Sequence, residues 1–181
     1  MVSYGQMSEK FEELFEKGYR ARRENRVADS RAIFLDAVRK AAEDGDRPSL
    51  AEALCGLAQA ENDIGNCEAA RQHYASAAVL YRQVGPPSRV AFAIRHEADL
   101  LRRMCQPSEA EPLYLEAEKI YRQQGDEAAL DLANTLRGLA LAREATGTPE
   151  ASRLLWAEAR DLYTRSDVKA GVEECNRKLS S

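Results

Sequence analysis

Proline and glycine are scarce in this chain, six and ten of 181 residues, and β-branched side chains are thinly spread. Sheet is therefore not expected, and the abundance of Ala, Leu, Glu and Arg favours helix. Cysteine is sparse too. Cys55, Cys67, Cys105 and Cys175 form no C-x-x-C pair and fall in helical context, so they read as reduced thiols in helix packing rather than a disulfide framework. No stretch approaches 18 apolar residues, and the opening MVSYGQMSEKFEELFEKG lacks a basic leader followed by an apolar run. Neither a membrane span nor export is expected, which points to the cytoplasm. A positive surplus is also missing: 26 Lys and Arg against 30 Asp and Glu leave a net charge of −4. That field repels phosphate backbones and argues against nucleic acid as a partner.

The chain is 44% hydrophobic and long enough to bury roughly 70% of its unfolded surface without a metal or disulfide staple. Its dominant feature is an internal repeat. Tyr81 and Tyr121 stand 40 residues apart, and Tyr163 follows 42 later. Small residues keep the same beat in two columns, Gly18, Ala58, Ala98 and Ala140, then Ala37, Ala77, Ala117 and Ala159. A turn column follows at Asn25, Gly65, Cys105 and Gly147, and an aromatic one at Phe34, Tyr74, Tyr114 and Trp156. Such columns describe a helix–turn–helix unit, in which small residues admit close helix approach and the aromatic fills the gap between units.

The pattern predicts helix pairs over about 8–24 and 27–43, 48–64 and 67–83, 88–104 and 107–123, and 128–146 and 149–165. A capping helix is expected over about 168–179. The turn stretches GDRPS, GPPS and GD fall between units, and Pro107 and Pro149 fall where second helices start. One column is irregular: where Leu57 and Leu139 offer an apolar side chain, the first unit has Lys17 and the third Glu97.

These residues resemble the tetratricopeptide repeat (TPR) family. GLAQAENDIGNCEAARQHYASA and GLALAREATGTPEASRLLWAEA match its helix–turn–helix core, with Leu57-Ala58 at its Leu-Gly, Gly65 at its turn glycine, and Ala70 and Ala77 at its central and late alanines. Ser30 and Ser152 depart from the central alanine, and the usual closing proline is missing. The 40 to 42 residue beat is similar to the long-helix variety of kinesin light chains. The resemblance implies an all-α superhelix of four repeats, about 8–45, 46–85, 86–125 and 126–167, forming with the cap a single domain over 1–181. It also implies a concave face, built mainly by first helices, that holds peptides or partner proteins.

Inward positions on the first helices form four columns: Glu12, Glu52, Phe92 and Asn134; Phe15, Cys55, Arg95 and Arg137; Tyr19, Gln59, Asp99 and Leu141; Arg22, Asn62, Arg102 and Glu144. Arginines gather toward the third and fourth units. An arginine fork matches a carboxylate, so Arg95, Arg102 and Arg137 with Asn134 and Asp99 are candidates to receive an acidic side chain or terminal carboxylate. The same arginines have a competing role in ion pairs with Asp99, Glu52 and Glu144. Phe92, Phe15 and Tyr19 are candidate apolar anchors, with inter-helix packing as the alternative.

Chemistry has less to stand on. His96 and Asp99 lie three apart in RHEADLLRR, and a Cys55–His96 arrangement would suit a small hydrolase, but no oxyanion element or third orienting group accompanies them. His96, Asp99 and His73 do not make the four-ligand spacing of structural zinc. The expectation is a binding module, not an enzyme, without metal or cofactor, whose partner is a protein or peptide. The alternative is self-association into a homodimer.

Overall fold

The computed structural model describes residues 9–180. The first eight residues of the opening segment read for a leader, including residue 8, where the first helix is expected to begin, lie outside them. Among the described residues the elements are α1 (Glu9–Arg23), α2 (Val27–Glu43), α3 (Arg47–Asp63), α4 (Cys67–Val84), α5 (Pro87–Arg103), α6 (Pro107–Gln124), α7 (Ala129–Ala145), α8 (Pro149–Arg165) and α9 (Lys169–Ser180). A 3-10 turn over Gly125–Ala128 precedes α7, so that helix starts one residue later than its pattern suggests. No described residue is in a strand.

The turns inside each pair have one cause. Asn25, Gly65, Cys105 and Gly147 all carry positive φ, between 59 and 85°. With that residue left-handed, the next amide reaches back to the helix: Arg26 N–H to Ala21 C=O at 2.8 Å, Asn66 to Glu61 at 2.9 Å, Gln106 to Leu101 at 2.9 Å and Thr148 to Arg143 at 2.9 Å. This is the Schellman closure, which satisfies orphan carbonyls and reverses the chain in three residues. Between α2 and α3, Gly45 has φ 68°, and Asp46 caps α3 by accepting from the Ser49 amide at 3.0 Å and hydroxyl at 2.8 Å.

The chain divides between Ala93 and Ile94, within α5, into two compact units. In the first, Phe11, Phe15, Phe34, Ala37, Ala41, Ala53 and Leu57 form the core. Phe34 is fully buried, its ring wedged where Gly18 of α1 and Gly56 of α3 leave room that a Cβ would fill. The core of the second unit is Ala98, Leu101, Ala110, Tyr114, Leu139 and Ala142. Tyr114 there lies over Gly138, where a Cβ would fall 2.5 Å from the ring. The aromatic column thus fills the space the small residues leave, as their spacing implies.

Candidate functional site

The polar first-helix positions of the second unit are held in separate groups: around Arg95 on α5, with an ion pair to α7, and from α7 to α8 and α9. Arg95 is buried, 8% exposed, and reaches Asp99 at 3.2 Å, His96 Nε2 at 3.0 Å and Asp131 at 3.8 Å. Burial alone would lower its pKa, but Asp99, Tyr121 and Asp131 outweigh that and raise it, so the guanidinium stays charged. The other Asp99 oxygen accepts from the Tyr114 hydroxyl at 2.6 Å. Asn134 Oδ1 accepts from Tyr163 at 2.8 Å. Arg137 grips Glu174 of α9 with Nε and Nη2, at 2.6 and 2.8 Å.

Arg102 differs from both other arginines. It is half-buried beside the Tyr114 hydroxyl, yet no carboxylate among the described residues pairs with it; its shielded Nε has no acceptor, a feature it shares with Arg95 Nε. Glu144, one repeat on from Arg102, accepts from Trp156 Nε1 at 2.7 Å and Lys178 at 2.6 Å, and Lys178 sits 5.6 Å from the Trp156 ring.

In the first unit, Glu52 is the hub. It accepts from the Tyr19 and Tyr81 hydroxyls at 2.8 and 2.7 Å and from Arg89 at 3.1 Å. Arg22 ties α1 to α3 through Gln59 at 2.9 Å and through Asp63. Phe92 lies edge-on to Tyr74, ring centres 6.4 Å apart. Phe15 is buried between Phe11 and Phe34 and belongs to the core, so packing rather than anchoring is its role.

Sequence reasoning grouped these first-helix positions into columns but missed what holds them. Tyr81 bonds Glu52 and Tyr163 bonds Asn134, each across 29 residues. The tyrosine column, set beside the column Glu52–Asn134, is the signal for that bond. Glu174, the partner of Arg137, had no signal of its own, because the last helix is read only as a cap.

Cys55, the nucleophile of the hydrolase reading, is 1% exposed, and burial pushes its thiol pKa up, away from the reactive thiolate. No three His, Cys, Asp or Glu side chains converge as a metal site among the described residues, and none of the described helices is long and apolar enough to cross a membrane.

No sequence-family profile and no curated protein matches the chain. Solved structures do. BtubC (BKLC) from P. vanneervenii is similar over 85% of this chain at 18% identity and a TM-score of 0.77; the match spans only 63% of BtubC. A Podospora anserina protein described by nearly identical kinesin light chain TPR-like repeats matches 94% of this chain and 86% of its own at 15% identity and a TM-score of 0.78. MamA RS-1, as a double mutant, matches 97% and 95% at 17% identity and a TM-score of 0.66. The shared feature is the fold: paired helices repeated along the chain in the TPR-like manner.

Proposed function

From a TPR-like repeat fold as premise, we propose that this chain is a protein- or peptide-binding module, cytoplasmic and without catalytic activity, with residues 1–181 acting as one interaction domain. Its partner presents an acidic side chain or a terminal carboxylate to the first-helix positions Arg95, Asp99, Arg102, Asn134 and Arg137 of the second unit; Phe92, in the first unit, is a separate candidate for an apolar contact. The observation that carries this reading is Arg102, a partly exposed guanidinium with no carboxylate partner among the described residues and a shielded Nε lacking an acceptor. An arginine with unused donors beside a network already neutralised is a ready receiver for a carboxylate. Arg95 and Arg137 act differently in this reading: their forks are engaged by Asp99 and Glu174, and they hold the surface on which Arg102 and the Asn134 amide act.

Fluorescence anisotropy against a panel of acidic peptides, with free and amidated C-termini, tests the reading. Arg102→Glu is expected to weaken the best binder about tenfold or more, the scale of one charge-assisted contact, at unchanged melting temperature. Equal binding by the native chain and Arg102→Glu across the panel refutes the acidic partner.

A further inference from the structure

At one pair of repeat positions in each compact unit, a seam forms where an aromatic ring of a second helix lies on a glycine of the next first helix, Phe34 on Gly56 and Tyr114 on Gly138. Beside each seam stands an ion pair between the same two repeat positions. In the first unit Arg31 of α2 donates through Nε to Glu61 of α3 at 2.7 Å. In the second, Arg143 of α7 donates through Nε to Glu111 of α6 at 2.9 Å. Residues 31 and 111 hold one repeat position, 61 and 143 the other. The geometry is shared and the polarity is opposite: the base is on the second helix in one seam and on the first helix in the other.

We propose that this reversed polarity keys the two seams against exchange between copies of the chain. The apolar parts of the seams are alike, since Phe34, Gly56 and Leu57 in one answer to Tyr114, Gly138 and Leu139 in the other. Repeats that present interchangeable apolar faces can stack on the wrong neighbour while folding, and a second copy supplies such neighbours. When α1–α2 of one copy stacks on α7–α8 of another, Arg31 meets Arg143. When α5–α6 of one copy stacks on α3–α4 of another, Glu111 meets Glu61. Glu61 is nearly inaccessible to water, so it has no solvent to turn to when its partner has the wrong sign. Like charges beside the desolvated Glu61 are penalised more than the partly solvated Arg31–Arg143 mismatch, and both leave the native stacking selected by what the alternatives lack.

The double variant E111R/R143E retains an ion pair in the second unit but makes both seams the same polarity. Refolded from urea at high concentration, it is expected to give about threefold more oligomer than the native chain by light scattering after gel filtration. Adding R31E/E61R restores opposite polarities and is expected to return the oligomer fraction to the native level. The neutral variant E111Q/R143Q gives a reading that does not depend on the fourfold variant folding, and its fraction is expected between native and E111R/R143E. The proposal is overturned by a native-like fraction in E111R/R143E, by a folded fourfold variant that stays as oligomeric as the double, or by a neutral variant exceeding the double.

Discussion

A methyl group at residue 138 has nowhere to go, because the Tyr114 ring occupies the space and is itself fixed by its bond to Asp99. Gly138→Ala is expected to destabilise the chain by about 1–3 kcal/mol, the usual cost of overpacking, and urea denaturation will measure it. The conformational preference of alanine for helix works the other way by only about 1 kcal/mol, so a stabilised Gly138→Ala would contradict this packing. Two titrating residues set a pH dependence. Burial lowers the His73 pKa from 6.5, with Arg31 adding to it and Glu61 opposing. For Glu61, burial pulls upward, but Asn66 and Arg31 outweigh it and hold the carboxyl below 4.5. Both groups bind fewer protons folded than unfolded, so their stabilisation is complete above the ordinary values and declines on acidification, through His73 first and Glu61 later. The urea midpoint is expected to fall from pH 7.5 toward pH 4. His73→Gln is expected to flatten the upper part of that fall, and a midpoint rising on acidification is the contrary result.

At the scale of elements, α9 does more than close an end. Gly171 lies under Tyr163, Cys175 is buried with its thiol pushed up to about 11, and Glu174 and Lys178 pair with Arg137 and Glu144 of α7. Glu174→Ala is expected to cost about 0.5–1 kcal/mol, because the pair is bidentate but partly exposed, and thermal unfolding will show it. A loss above 3 kcal/mol would mean that the pair is functionally buried. The irregular column also resolves in part. Leu57 and Leu139 are buried, whereas Lys17 is exposed and paired with Glu13 at 2.7 Å, since no described helix precedes α1. In the third repeat His96-Glu97 stands where Gly56-Leu57 and Gly138-Leu139 stand, and the division between the compact units falls just ahead of that pair.

Over the whole molecule, stability is expected to be graded rather than uniform. Helices of a repeat array pack on their neighbours in sequence, as α2 does on α3, α3 on α4 and α7 on α8, so end helices have fewer partners to lose before they open. Amide hydrogen exchange is expected to be fastest in α1 and α9 and slowest in α3 and α7, whose buried positions run around most of the helix. Uniform protection across the nine described helices would contradict a neighbour-by-neighbour array.

The repeat beat by itself determined the helices, their turns and the aromatic-on-small packing, because those depend on local periodicity and on one residue per turn with left-handed backbone. Asn25, Gly65, Cys105 and Gly147 were legible as turns from their spacing alone, and all four have positive φ. The candidate site was legible only as columns of first-helix positions. Which arginine is engaged was decided by tertiary structure, since Arg95 meets Asp131 and Arg137 meets Glu174 across more than 35 residues, while Arg102 has no such acid among the described residues. Periodicity says which face a side chain takes, but a hydrogen bond needs a partner at a particular distance, and only the packed helices supply one.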